Sequence, residues 1–219
     1  MANNKRKIRA GTSGVLSGNG MVKRYSADEL ENTFLYGLDV KSRVIHVYGE
    51  IDGDSHRKLL TGLSNLNTTG ESPIVVMLNS EGGSILDGWG MYDAIRNSKA
   101  PVNIEVYGQA LSMAAVILQA GQVRAISRGS TIMVHDGYKY EEGTPVRSSE
   151  NWNEFMKKNR RRFYEIFSER TGKSVKYWEG KFTNDSLYDA ERALEERIVD
   201  KIIEPSRHIP FTSLRRASI

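Results

Sequence analysis

Residues 73–84 read Pro-Ile-Val-Val-Met-Leu-Asn-Ser-Glu-Gly-Gly-Ser, and this stretch indicates the fold class. Its first half, 73–78, is a short continuous apolar run, which is typical of a strand buried in a parallel sheet. The polar residues and glycines of 79–84 break that strand. The pattern that follows is helical, and its apolar face consists of Ile85, Trp89, Tyr92 and Ile95. A buried strand that leads directly into a helix is the unit of an α/β protein.

The same alternation continues on both sides of this unit. Further strands are predicted at 43–48, 101–107, 123–126, 131–134 and 198–203. Helices are predicted from a cap at Asp54 or Ser55 to about residue 66, and at 111–120, 150–171, 175–181 and 189–197. Gly172 is expected to end the long helix. The sequence therefore predicts one α/β domain over residues 43–204, between an N-terminal segment of 1–42 and a C-terminal tail of 205–219.

Composition excludes several classes of protein. The 219 residues include no cysteine, so disulfides, thiolate metal sites and cysteine nucleophiles are excluded. No apolar run approaches the roughly 18 residues needed to span a bilayer. The basic start of the chain is not followed by an apolar stretch, so no secretory signal is predicted. We therefore expect a cytoplasmic protein without a membrane partner.

Positive charge is concentrated at the two ends of the chain. Residues 1–24 carry six lysines and arginines and no acid, and the tail from Pro205 carries three arginines and no acid. Because the net charge of the whole chain is only +4, the body between these ends is acidic. This distribution argues against a nucleic-acid-binding face and is typical of solvated terminal segments.

Two strand-to-helix junctions can carry chemistry. Gly82 and Gly83 follow the buried strand, where α/β proteins commonly bind ligands and where glycines present free N–H groups. A strand-to-helix turn without a binding role also explains this pair of glycines. Ser112 lies at the start of the predicted helix 111–120, where unpaired N–H groups stabilise negative charge. Helix-start serines are usually N-caps, and the G-x-S-x-G pattern is absent around this one.

A serine nucleophile requires a base, and the chain has four histidines. His208 is in the tail, His56 opens a predicted surface helix, and His46 lies inside a strand. His135 follows the apolar strand 131–134 and precedes an irregular segment, so its ring can project from a strand end. By elimination, His135 is the best candidate for the base.

Taken together, these segments resemble the proteolytic subunit of the Clp protease (ClpP). The resemblance depends on residues 78–84, 108–115 and 132–135, and on two later segments, 169–174 and 193–200. It extends over residues 43–203. It implies a ClpP/crotonase-like fold of repeated β-β-α units with a protruding handle helix, the handle region covering about 137–172.

The resemblance also implies a serine endopeptidase with a Ser-His-Asp triad. Ser112 would attack the peptide carbonyl, His135 would accept its proton, and Asp185 would be the third member, with Asp189 as a close competitor. The backbone N–H groups of Gly83 and Met113 would form the oxyanion hole.

This sequence departs from the family pattern at four places. Glu81 replaces a usual proline, Ala114 a usual glycine and Asp136 a usual glutamine, and residues 137–149 replace a glycine-rich strand. We expect Glu81 and Asp136 to place negative charge near the site and to change peptide preference.

The expected assembly is a pair of stacked heptameric rings that hydrolyses unfolded proteins. No cofactor is expected in this chain, since an AAA+ unfoldase partner, where one exists, would consume the ATP. Thr171-Gly-Lys-Ser174 only partly matches a P-loop, because Phe167 stands where the first glycine is required. Two alternatives remain open: a crotonase-like acyl-CoA-binding protein, and a catalytically silent scaffold subunit of a mixed ring. The natural substrate and any N-terminal trimming are left undecided.

Overall fold

The structure, a computed structural model, describes residues 25–137 and 146–204 and confirms the α/β class. Its strands are β1 (Leu38–Asp39), β2 (Val44–Ile51), β3 (Ile74–Gly83), β4 (Val102–Leu111), β5 (Arg124–Ser127), β6 (Thr131–Val134), β7 (Ser186–Tyr188) and β8 (Lys201–Ile203). Its helices are α1 (Ala27–Tyr36), α2 (Gly53–Thr68), α3 (Ile85–Arg96), α4 (Met113–Leu118), α5 (Val146–Thr171), α6 (Val175–Phe182) and α7 (Ala190–Glu195). Within the described ranges, no helix is both long and apolar enough to cross a membrane.

The strands form one mixed sheet in the order β1-β2-β3-β4-β5-β8. Pairing is parallel from β2 through β8, whereas β1 runs antiparallel to β2. The strand β4 has two partners: its first half pairs with β5, and its last residues, 109–111, pair with β6. The change of partner follows Gly108, whose φ of 102° suits glycine. As a result, the end of β4 lies beside β6 rather than β5.

The core lies between this sheet and the helices. All six residues of α4 are buried, together with the inward-facing residues of β3 and β4. A second group of buried aromatic residues joins α5 to α6: Phe163, Tyr164, Phe167, Trp178 and Phe182. Residues 150–154 of α5 are exposed, and Trp152 retains 45% of its accessible surface. The packed part of the long helix is therefore its C-terminal half.

Several predicted boundaries were wrong. Asp52 caps α2, rather than Asp54 or Ser55, because its carboxylate accepts from both of their N–H groups. The strand β3 does not break at residue 79 but continues to Gly83, since a register shift lets β2 keep pairing with it. The strand β4 likewise extends to Leu111, and α4 is shorter than the predicted 111–120 helix.

Three elements were not predicted: α1, β1 and β7. The helix α1 and the strand β1 occupy residues 27–39, inside the segment that the sequence assigned to the N-terminal region. The helix α1 buries none of its residues, and a capping box between Ser26 and Glu29 begins it. The predicted boundaries at residues 42 and 204 stay predictions. Residues 1–24, 138–145 and 205–219 lie outside the described part, and with them much of the segment replacing the glycine-rich strand.

Candidate active site

Ser112 and His135 are brought together, as the sequence predicts. The Oγ of Ser112 lies 2.7 Å from Nε2 of His135. The strand register explains this contact, because Leu111 pairs with Met133 and the N–H of Ser112 donates to the Met133 carbonyl at 2.9 Å. Ser112 directly follows Leu111, and His135 is the second residue after Met133, so both leave the sheet at the same edge. The serine hydroxyl is within hydrogen-bond distance of the imidazole.

The backbone of Ser112 is strained. Its φ of 54° and ψ of −122° lie in a region that non-glycine residues rarely adopt. Ser112 occupies the N-cap position of α4, yet its side chain makes no capping hydrogen bond. The unusual φ directs the hydroxyl away from the first turn of the helix and toward His135. The sequence predicted a helix start here, but nothing in the local pattern predicts this conformation.

Asp185 lies on the other side of the imidazole. Val134 pairs with Ser186 in the antiparallel β6–β7 ladder, so the next positions along that ladder are His135 and Asp185. Oδ1 of Asp185 is 3.5 Å from Nδ1 of His135. This distance is longer than an N–H···O hydrogen bond but close enough for charge attraction. The carboxylate is 63% exposed, whereas the imidazole is 10% exposed.

The competing Asp189 has a different role in the structure. It caps α7, where its Oδ1 accepts from the N–H of Arg192 at 2.8 Å. The other described histidines are also engaged elsewhere: His46 bonds to Tyr48 at 3.0 Å and His56 to Asp87 at 3.1 Å. His208 lies outside the described residues.

The two predicted oxyanion donors, Met113 and Gly83, lie at the start of α4 and at the end of β3. Met113 is the first residue of α4, so its N–H has no acceptor within the helix. Gly83 ends β3, and its neighbour Gly82 abuts the Ser112 junction. A Cβ added to Gly82 would lie 2.8 Å from Cβ of Ser112 and 3.0 Å from the Met113 nitrogen. Only glycine allows this approach, which brings the end of β3 against the start of α4.

A small cleft opens beside the serine. Its described lining includes Ile85, Met113, Val116, Asp136, Phe163 and Phe182. Asp136, which the sequence predicted near the site, is half-buried there and accepts a 2.6 Å hydrogen bond from the hydroxyl of Tyr164. Glu81 is exposed beside Gly82, and Ala114 is fully buried in α4. The aromatic walls and the Tyr164 bond were missed, because their residues come from α5 and α6, distant in sequence.

Comparison with known proteins identifies the family. The sequence model of the family described as Clp protease matches residues 28–206. Among solved structures, a point mutant of ClpP1 from Listeria monocytogenes is similar, with a TM-score of 0.69 and 24% sequence identity. The match covers 76% of this chain and 94% of that chain, which shows a shared fold and confirms the predicted ClpP/crotonase-like class. Since the family match spans most of its length, this chain belongs to the Clp protease family.

Proposed function

We propose that this chain is a serine endopeptidase subunit in which Ser112 is the nucleophile and His135 its general base. The single observation that supports this most is the 2.7 Å contact between the Ser112 hydroxyl and Nε2 of His135, made by a serine that caps nothing. A nucleophile hydrogen-bonded to a base, which a carboxylate orients in turn, is the arrangement required for acyl transfer.

The reaction begins when Oγ of Ser112 attacks the peptide carbonyl carbon and its proton passes to Nε2 of His135. The carbonyl oxygen becomes negatively charged, and the N–H groups of Gly83 and Met113 are the proposed donors to it. Each donor of this kind is worth about 3–4 kcal/mol of transition-state stabilisation in related hydrolases.

The tetrahedral intermediate then collapses. The C–N bond breaks, His135 gives its proton to the departing amine, and an ester remains on Ser112. Water next loses a proton to His135 and attacks this ester. The bond between the acyl carbon and Oγ then breaks, and His135 returns the proton to Oγ, which releases the acid product and restores the serine hydroxyl. The steps use side chains, backbone amides and water, so we propose that this chain needs no cofactor.

Asp185 is the proposed third member of the triad. Its carboxylate stabilises the imidazolium that forms when His135 accepts the serine proton. The 3.5 Å separation has to shorten by roughly 0.5 Å to make a hydrogen bond with Nδ1. Catalytic contacts of this kind are often loose in the unliganded enzyme and tighten when substrate binds. Asp189 is the weaker candidate because it already caps α7.

We further propose that the subunits assemble into heptameric rings stacked in pairs and act on unfolded polypeptides. Family membership supports this, as does the exposed Trp152, which packs on Phe155 near the start of α5 and offers an apolar contact. An AAA+ unfoldase is the proposed partner, and the cytoplasm is the proposed location.

Hydrolysis of fluorogenic peptides without ATP tests this function. The purified wild-type protein should cleave them, and light scattering during size exclusion should give about fourteen times the 24.6 kDa of one chain. A stable monomer would contradict the ring. A ring that cleaves no peptide would contradict the enzyme and favour the scaffold role.

A further inference from the structure

The cleft beside Ser112 is apolar except at one place. Ile85, Met113, Val116 and the rings of Phe163 and Phe182 provide its apolar surface. Of the described residues that line it, only Asp136 carries a carboxylate. Ser112 and His135 both line the cleft, which makes it the candidate pocket for the side chain of the residue whose carbonyl Ser112 attacks, called P1. In the structure it holds about 20 Å³, which is room for about one water, so its side-chain walls have to move apart when a P1 side chain enters.

The carboxylate of Asp136 is fixed from two sides. Its backbone N–H donates to the Phe182 carbonyl at 2.8 Å, and its Oδ1 accepts from the Tyr164 hydroxyl at 2.6 Å. Tyr164 is only 7% exposed. Burial and, secondarily, the bond to Asp136 raise the pKa of Tyr164, so this hydroxyl remains a donor at physiological pH. The Tyr164 hydroxyl therefore holds the Asp136 carboxylate in place as a hydrogen-bond donor.

Two charged residues of α5 and α6 act on the Tyr164 hydroxyl that binds Asp136. They are Arg160 and Glu179, both within the part of the chain that the structure describes, and they act with opposite signs. Neither lines the cleft. The negative wall next to Ser112 therefore comes from Asp136, in surroundings where apolar side chains reduce the screening by water.

We propose that Asp136 is a specificity-determining residue that makes this cleft select cationic P1 side chains over neutral ones, and neutral over acidic ones. The inference rests on the proposed peptidase function and adds the substrate class. Lysine and arginine combine an apolar stem, which suits the cleft walls, with a charge that Asp136 attracts. An acidic side chain brings a second negative charge beside Asp136 and is disfavoured.

The test compares peptides that differ only in charge at P1: lysine against norleucine, and glutamate against glutamine. The two members of each pair meet the same walls, so the ratio of their kcat/KM values reports charge and not cleft size. For the wild-type ring we expect lysine to exceed norleucine by about tenfold, which corresponds to one charged hydrogen bond, and glutamine to exceed glutamate.

Asp136→Asn removes the charge while keeping an oxygen that can accept from Tyr164. We expect both ratios to fall toward one in this variant. Glu179→Gln is the matched control, since it removes a neighbouring carboxylate that does not line the cleft, and its ratios should stay at the wild-type values. Thermal unfolding of each variant verifies folding, and the wild-type ratios test the inference even if one variant fails to fold.

The outcomes separate this inference from the proposed function. Equal cleavage of lysine and norleucine peptides by the wild type, or unchanged ratios in Asp136→Asn, would overturn the role of Asp136 and leave the peptidase intact. A wild-type protein that cleaves none of the peptides would overturn the proposed function, and this inference with it.

Discussion

Two strand-to-helix junctions lie side by side in this molecule, and each has a serine at the N-cap position. Ser84 follows β3 with φ −57° and ψ 121°, and its side chain accepts from the N–H of Asp87. Ser112 follows β4 with φ 54° and ψ −122°, nearly the mirror-image conformation, and it makes no cap. The comparison shows how one residue type in one fold position becomes either a helix cap or a candidate nucleophile.

The conformation of Ser112 is informative because it destabilises the folded protein. A non-glycine residue at such a φ lowers the free energy of unfolding by on the order of 1–3 kcal/mol, and a missing helix cap lowers it by about 1 kcal/mol more. Both destabilising contributions apply to Ser112, and neither applies to Ser84. The surrounding bonds that hold Ser112, above all its N–H to the Met133 carbonyl, therefore serve the placement of the hydroxyl beside His135.

The largest expected effect separates the two serines directly. Ser112→Ala should lower kcat for peptide hydrolysis by at least about 10⁴-fold, because the nucleophile is lost. Ser84→Ala should retain hydrolysis and lose about 1 kcal/mol of unfolding free energy, because only a cap is lost. Peptide kinetics and urea unfolding of both variants measure the difference. Comparable kinetic losses would end the distinction between the junctions.

The next effect concerns the two aspartates that flank β7. Asp185→Asn should reduce kcat by about 10³–10⁴-fold, since the imidazolium of His135 loses its carboxylate. Asp189→Ala should instead cost about 1 kcal/mol of stability through the lost α7 cap. The same kinetic and unfolding assays apply. If Asp189→Ala caused the larger kinetic loss, the roles of the two residues would have to be exchanged.

A smaller effect tests the close approach of β3 to the Ser112 junction. Gly82 and Gly49 both have positive φ, 93° and 78°, but only the Cβ of an alanine at 82 would meet neighbours, the nearest being the Leu111 carbonyl at 2.7 Å. Gly82→Ala should therefore destabilise by about 1–3 kcal/mol more than Gly49→Ala. It should also lower kcat, because the oxyanion donors shift. Equal unfolding free energies of Gly82→Ala and Gly49→Ala would show that β3 does not closely approach the Ser112 junction.

The smallest effect is on the titration of Asp87. The Ser84 hydroxyl, as the main cause, and His56 lower the pKa of Asp87 below its ordinary value. Because the folded-state pKa is the lower one, this contribution to stability is complete above the unfolded-state pKa and disappears as the pH falls through the folded-state pKa. Ser84→Ala should raise the pKa of Asp87 toward 3.8. A carboxyl NMR titration measures this, and an unchanged pKa would show that the Ser84 hydroxyl does not act on the Asp87 carboxylate.

The sequence predicted much of this arrangement, and the failures have physical causes. The continuous apolar run of β3 indicated the fold class. The serine at a helix start and the histidine at a strand end were only candidates until the resemblance to ClpP joined them into one proposed site. The extension of β3 to Gly83 was missed because the strand is completed by pairing with β2 across a register shift, a tertiary effect. The helix α1 buries nothing, so apolar periodicity was uninformative, although its Ser26–Glu29 capping box was present in the sequence.

Sequence patterns could not predict the conformation of Ser112 or how the charge in the cleft is held. The positive φ of Ser112 accompanies a hydrogen bond from its N–H to the Met133 carbonyl of β6, a contact between distant segments that no local motif encodes. Asp185 was selected by family resemblance, and only the β6–β7 register places it opposite His135. Asp136 was expected near the site, but its bond to Tyr164 depends on how α5 packs.

Covalent labelling with a fluorophosphonate probe, mapped by peptide mass spectrometry, tests whether Ser112 is the nucleophile. We expect the wild type and Ser84→Ala to incorporate the probe at Ser112, and Ser112→Ala to incorporate none while keeping the assembly of the wild type. Undiminished labelling of Ser112→Ala, or a wild-type adduct mapped to another residue, would contradict it.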